Sequence, residues 1–415
     1  MLELFPESAA VEDGEIVVGG VRASALAAEF GTPLVVYCEE TIRSQARAYR
    51  SIVPDGLVVY GTKAFPNVAL LRLLADEGLG ADVSTLGELE FALRADLGGD
   101  RIVFHGNNKS DEELRAAVTA GALVVLDAID EVERAAAAGP RAVLVRVTPG
   151  IEAETHQSIQ TAHSESKFGL APADALDAVR AGLEAGLDVA GLHVHIGSQL
   201  ARVDESLAAV DRIVELAQRC QSELGWSPRI VDLGGGLGIR YSRDEQMLEA
   251  PEFAGALVQR FRAAWARPAQ VILEPGRSLV GRAGVTIYRV GAVKRTPTIT
   301  YVAVDGGMSD NPRPQLYAAR YEALLANRAA EAAAGAFRIA GKHCESGDVL
   351  IDRVELPQPR RGDLLAVPAT GAYTLAMASN YNGVPRPAAV LVADRRARLI
   401  RRRETLDDLL ATEAG

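Results

Sequence analysis

Short β-branched runs alternate with alanine-rich stretches of helical period from residue 57 to 274, and this alternation is the strongest structural signal in the chain. Eight runs stand out: LVVYGTK (57–63), GADVS (80–84), RIVFHG (101–106), LVVLDA (123–128), AVLVRV (142–147), VAGLHVHIG (189–197), RIVDLGG (229–235) and QVILEPG (270–276). Between them the spacing predicts helices over 66–77, 86–95, 110–119, 129–138, 172–185, 203–222 and 252–265, long enough to cross back over a parallel sheet. Eight such units in about 220 residues predict an α/β fold, a (β/α)8 TIM barrel. A doubly wound open sheet is the alternative that periodicity alone leaves open.

After Gly276 the crossover helices cease and the runs VTIYRVGAV (285–293), TITYVAVDGG (298–307), DVLID (348–352), DLLAVPAT (363–370) and AAVLVAD (388–394) predict a second, mainly antiparallel β-sandwich or barrel domain. The first residues, with EIVVGGVRA, are expected to pair into it. The expected division is therefore 30–280 for the barrel and 1–29 with 281–415 for the β domain. The basic run RRARLIRRRE (395–404) reads as a solvated face.

Composition narrows the class. With 415 residues, 48% hydrophobic and 24% charged, the chain has material for two or three domains and is neither disordered nor collagen-like. A net charge of −11 repels a phosphate backbone, which argues against a nucleic-acid partner. No apolar run approaches the roughly 20 residues of a membrane helix, and the opening MLELFPESAAVEDGE is acidic where a secretory signal is basic. A cytoplasmic location is expected. Cys38, Cys220 and Cys344 are odd in number and lack ligand spacing, so neither a disulfide framework nor a metal site is expected.

In this barrel the chemistry belongs at the carboxyl ends of the strands, and polar residues gather there. Successive exits carry Lys63; Asp82 and Ser84; His105 with Asn107 and Asn108; Asp127; Arg146; His193 and His195; Gly234 to Gly236; and Glu274 with Gly276 and Arg277. Lys63 ends an apolar strand, where an ammonium is costly unless paired or chemically used. An ion pair with Asp82 and a Schiff-base lysine both remain open. The run DLGGGLGI (232–239) offers backbone N–H groups without side chains in the way, and EPGR (274–277) adds a tight turn and a forked guanidinium. Two anion-binding elements at neighbouring strand ends point to one phosphorylated ligand. His195 is either a satisfied core residue or a ring that lies flat on an aromatic ligand. Glu274 either caps its turn or holds a proton on a pyridine nitrogen.

Taken together, YGTKAF, GADVSTLGELEFAL, FHGNNKSDEEL, HVHIGSQ, DLGGGLGI, EPGRSLV, VDGGMSDNPRPQLY, GKHCESGDVL and GAYTLAMASNYNGVPRP resemble the diaminopimelate decarboxylase family, in the family's order from about residue 30 to 390. The resemblance implies pyridoxal 5'-phosphate as cofactor, carried by Lys63 as an internal aldimine. It places His195 on the ring and Glu274 at the pyridine nitrogen, and it includes Asp82 in the cofactor site. Ser198, Gly234, Gly235, Gly236, Gly276 and Arg277 are implied for the phosphate, with Tyr373 closing the pocket. On the substrate side it implies Arg277, Arg313, Tyr317, Glu345 and Tyr373, with Cys344 as proton donor. A homodimer follows, because in this family the CES segment reaches the other subunit's active site.

The expected reaction is decarboxylation of meso-2,6-diaminopimelate to L-lysine, the last step of lysine biosynthesis. The chemistry agrees: losing CO2 from an amino acid needs an electron sink, and a thiol, with a reference pKa of about 8.5, is mostly protonated at neutral pH yet still able to give up its proton. Alternatives are a related decarboxylase of another amino or diamino acid, an amino-acid racemase, and, last, a non-catalytic regulator. ETHQSIQTAHSESKFG (154–169) resembles the family's substrate-proximal loop. Two positions depart from the pattern: Thr374, where a smaller residue is frequent, and Ala389, where Glu is frequent, the latter read as an edge-strand change.

Overall fold

Each of the eight runs forms a strand in the computed structural model, which describes residues 1–151 and 166–414. The strands are Leu57–Gly61, Gly80–Val83, Ile102–Phe104, Leu123–Leu126, Val143–Val147, Val189–Val194, Ile230–Asp232 and Gln270–Leu273. Each pairs in parallel with the next, and the last returns to the first through Ile272 opposite Leu57 and Leu273 opposite Val58. That closure decides for the barrel over the open sheet. Crossover helices occupy the predicted stretches, from Val68–Asp76 to Ala250–Ala264. The local sequence explains where they begin: Asn67 accepts the Leu70 N–H, Thr85 the Glu88 N–H, and Ser110 with Glu113 forms a reciprocal capping box.

Val59, Val103, Val125, Leu144, Ala190 and Ile272 pack in the barrel interior. Period-two alternation puts them on one face of each strand, so the same phase carried onward delivers the polar strand-end residues to the mouth.

Two units make up the chain, Gln45–Gly238 with Met247–Ser278 for the barrel, and Met1–Ser44, Ile239–Gln246 and Leu279–Gly415 for the sheet unit. Residues 30–44, assigned to the barrel on sequence, lie in the sheet unit. Leu34–Cys38 is fully buried there and pairs antiparallel with Gly284–Arg295 and parallel with Ala388–Ala393. The sheet runs Val349–Leu356, Gly335–Ala340, Thr300–Val304, Gly284–Arg295, Leu34–Cys38, Ala388–Ala393 and Arg396–Arg401, with Leu364–Val367 also on Gly284–Arg295.

Antiparallel pairs predominate, alongside two parallel ones. EIVV pairs within a separate small meander of Ala10–Glu12, Glu15–Val18 and Val21–Arg22 rather than joining the large sheet. The basic run forms the terminal strand Arg396–Arg401, whose arginines blunt an edge open to further pairing. Ala389 is not on an edge: its strand is paired on both sides and it is fully buried, where a carboxylate would lack solvent.

Candidate active site

Lys63 follows the first barrel strand on a single 3-10 turn, Thr62–Ala64. Its ammonium lies 3.6 Å from Asp82, and its side chain is 51% exposed while Asp82 is buried. The ion-pair arrangement is thus present, between a half-exposed lysine side chain and a buried carboxylate.

Behind it lies a dense polar group. Glu274 is buried, with one carboxylate oxygen 2.6 Å from His105 Nε2 and the other 3.2 Å from His193 Nε2. The two imidazoles meet edge to face at 4.8 Å between ring centres. Burial alone would raise the Glu274 pKa, yet His105 and His193 outweigh it and hold this carboxyl well below the usual range. Burial pushes His193 down to about 4, so it is a neutral N–H donor at neutral pH.

His195 begins just past the sixth strand. Its Nδ1 accepts the Gly235 N–H at 3.3 Å, which fixes the ring orientation and leaves its proton on Nε2. Desolvation, with Lys63 and Arg146 adding repulsion, holds it neutral, well below its ordinary pKa. The glycine turn is sterically obligatory. A Cβ on Gly235 would stand 2.1 Å from the Glu274 carbonyl oxygen, and Gly234 has a left-handed φ of +68°. Two of its N–H groups are engaged within the barrel, Gly234 with Asp232 at 2.9 Å and Gly235 with His195. The turn therefore serves close packing and orientation as well as offering donors.

Arg277 is buried and donates to Ser198 Oγ at 2.9 Å, bringing two expected phosphate ligands together. Gly276 lies beside the first strand, where Gly61 donates to the neighbouring Pro275 carbonyl at 3.1 Å.

The remaining expected residues belong to the sheet unit. Arg313 is buried, its guanidinium 4.2 Å from the centre of the Tyr241 ring and bonded to the Tyr321 hydroxyl at 2.5 Å. Among the described residues no carboxylate pairs with it. Tyr317 is half-buried with its hydroxyl 4.0 Å from Met377 sulfur, and Tyr373 is half-buried at a left-handed φ of +58°. Thr374 is buried and bonds the Thr370 carbonyl, so its hydroxyl is spent on its own turn.

Cys344 is exposed, whereas Cys38 and Cys220 are buried. Asn382 accepts its backbone N–H at 2.9 Å, and Asp348 gathers the Met308 and His343 N–H groups and His343 Nδ1 at 2.7–2.9 Å. Glu345 is exposed and caps the Gly347 N–H at 3.2 Å.

Sequence reading assigned no role to Asp232, His105 or His193. Their signal was phase: His193 and Asp232 are register partners on adjacent strands and so face the same side as the core residues. Most of 154–169 lies outside the described residues. Phe168 and Gly169, just beyond, are anchored, with Arg146 over the Phe168 ring at 4.7 Å and Gly169 N–H on Asp127 at 2.9 Å.

A neutral imidazole beside an ionised buried carboxylate, a half-exposed lysine and a glycine cradle closed to any Cβ could receive a flat, cationic, phosphorylated ring. Comparison with known proteins agrees. Residues 39–281 match the family of the pyridoxal-dependent decarboxylase, pyridoxal binding domain. The chain is 45% identical to the diaminopimelate decarboxylase of Actinosynnema pretiosum subsp. auranticum, covering 99% of this chain and 95% of that one, and 42% identical to that of Bacillus subtilis, covering 96% and 95%. A crystal structure of diaminopimelate decarboxylase from M. jannaschii in complex with L-lysine superposes with a TM-score of 0.91 at 34% identity, covering 99% of this chain and 98% of that one. The chain belongs to the diaminopimelate decarboxylase family of pyridoxal-dependent decarboxylases. It is a carboxy-lyase that uses pyridoxal phosphate, and among the described residues no helix is long and apolar enough to cross a membrane.

Proposed function

We propose that this enzyme decarboxylates meso-2,6-diaminopimelate to L-lysine and CO2. The carrying observation is Arg313, a buried guanidinium stacked on tyrosine and without a carboxylate partner among the described residues. Burying a cation without a counter-charge is costly, and an anionic substrate group at Arg313 removes that cost. A substrate with a second amino-acid head brings that carboxylate; ornithine or lysine does not.

Bound pyridoxal phosphate supplies an electron sink for the charge left on the α-carbon as CO2 departs. Lys63 would hold its aldehyde end, with Asp82 orienting the amine. His195 would lie against the ring, and Glu274, ionised, would hold the ring-nitrogen proton. Ser198, Gly236 and the Gly276–Arg277 turn would hold the phosphate, and the family resemblance would have Tyr373 close the pocket. Arg277, Tyr317 and Glu345 join Arg313 around the substrate's charged ends.

In the reaction the bond to the carboxylate carbon breaks and its electron pair stays on the α-carbon. Cys344 gives that carbon a proton, and its thiolate regains one from water. The exposed position of Cys344 and Glu345 supports a homodimer in which this segment serves the partner's barrel. The acidic net charge and the absence of a spanning helix among the described residues support a cytoplasmic enzyme without a nucleic-acid partner.

Turnover assays decide the substrate. CO2 release from meso-diaminopimelate with little from ornithine, lysine or arginine is expected, and the reverse order overturns the assignment.

A further inference from the structure

Four buried polar side chains meet inside the barrel mouth, His105, His193, Asp232 and Glu274, with their ligating atoms all within 4.8 Å of one another. Asp232 is the deepest. It is fully buried at the end of the strand Ile230–Asp232, one oxygen accepts the Gly234 N–H at 2.9 Å, and the other, Oδ2, has no hydrogen-bond partner.

Charge balance then limits what Asp232 can be. Five buried carboxylates lie around this mouth, Asp82, Asp127, Glu131, Asp232 and Glu274, and Lys63, Arg146 and Lys109 are the cations nearby, the last paired with Glu131 at 2.9 Å. Lys63 stands against Asp82 and Arg146 against Asp127, while Glu274 takes both imidazoles. Among the described residues Asp232 has no ion-pair partner, Arg146 acting on it only at longer range, and its neighbour is a second carboxylate. Two such groups in a dry interior do not both ionise.

We infer that Asp232 is a neutral carboxylic acid that donates its proton to Glu274 while its other oxygen holds the Gly234 N–H, a positioning residue tying the glycine turn to Glu274. The direction of its acidity agrees: burial first, then Glu274, pushes the Asp232 carboxyl well above its ordinary range. The proton also gives Glu274 a third donor, so that its charge is prepared before the cofactor arrives. The positioning role rests on the cofactor reading above, whereas the protonation state does not.

Difference infrared spectroscopy of wild type against Asp232→Asn, on cofactor-free and cofactor-loaded enzyme, tests the proton directly. A protonated-acid carbonyl band present in wild type at neutral pH and absent in the variant is expected. Cofactor affinity tests the position. Asn keeps an acceptor for Gly234 and a donor for Glu274, so affinity stays within about threefold, whereas Asp232→Leu loses both and weakens it at least about tenfold.

No band, an Asn variant as damaged as a fully cofactor-deficient enzyme, or a stoichiometric transition metal found by elemental analysis of the cofactor-free protein would each overturn the inference. If the Leu variant does not fold, the band and the Asn affinity still decide. Failure of the cofactor reading shows separately, as no borohydride-trapped cofactor on Lys63 while the band persists.

Discussion

At the barrel mouth the functional side chains hold one another. Glu274 rests on two imidazoles, His195 on the glycine turn and Arg277 on Ser198, while the half-exposed Lys63 side chain stands against buried Asp82. In the sheet unit the order is inverted around Cys344: the backbone is pinned, by Asp348 on one side and Asn382 on the other, while the thiol and the Glu345 carboxylate stand exposed. The contrast suits two tasks. Binding a rigid charged ring rewards a receptacle whose dipoles are already aimed, because no reorganisation is then needed. The proposed proton donor would instead have to be presented at a surface, with its freedom removed through its main chain.

The largest effect expected is at the Lys63 amine. Lys63→Ala should lower CO2 release at least roughly 10^3-fold and abolish borohydride trapping of the cofactor, while leaving the buried quartet intact. An alanine variant that still traps cofactor covalently would place the attachment elsewhere. Cys344→Ala should lower turnover by about 10^2-fold. Because the thiol is exposed, thermal stability should change by no more than about 0.5 kcal/mol and cofactor affinity should not move. Lost cofactor binding in that variant would break the division between the two regions.

A pH experiment separates the units through their buried acids. In the sheet unit, burial, aided by Asp348 and Asp305 and opposed by hydrogen bonds from Tyr288 and Gly307, pushes Asp310 up to about 7. The folded state therefore keeps a proton that the unfolded state has already lost between about pH 4 and 7. Stability from this group is full below about pH 4 and is lost as pH rises through about 7. Asp310→Asn should flatten that slope, raising stability at pH 8 relative to pH 5 by about 1–3 kcal/mol compared with wild type, as read by denaturant titration at the two values. An unchanged slope would mean that Asp310 is ionised when folded.

Much of the architecture was legible because each barrel strand is a short apolar run and a helical-period stretch lies between each and the next, so the evidence for each is local. Leu34–Cys38 escaped because LVVYC leads straight into the helix Glu39–Ile52, mimicking a first barrel unit, while its partners lie some 250 and 350 residues away at Val285 and Val390. The same distance misplaced Ala389, since the neighbours on both sides of its strand could not be read from its own sequence. Motif glycines and Lys63 were readable as candidates, because a glycine run and a lysine at strand ends each have few uses in that setting. Asp232, His105 and His193 were not, because each is a single polar residue on a separate strand and acquires meaning only when closure brings them within reach of Glu274.

The smallest effect sharpens the comparison most, since it separates a pinned backbone from a reactive side chain. Asn382 has a left-handed φ of +55° and its side chain accepts the Cys344 N–H at 2.9 Å. Alanine there would add backbone strain to the lost hydrogen bond, whereas Asn382→Gly removes the acceptor and tolerates the conformation. One hydrogen bond at an exposed loop is worth about 0.5–1.5 kcal/mol, so kcat should fall by about threefold. If the loop acts only by presenting the thiol, KM and cofactor affinity stay at wild-type values and Cys344 is alkylated faster by a neutral thiol reagent. A drop in kcat matching that of Cys344→Ala would instead show that Asn382 takes part in the proton transfer itself.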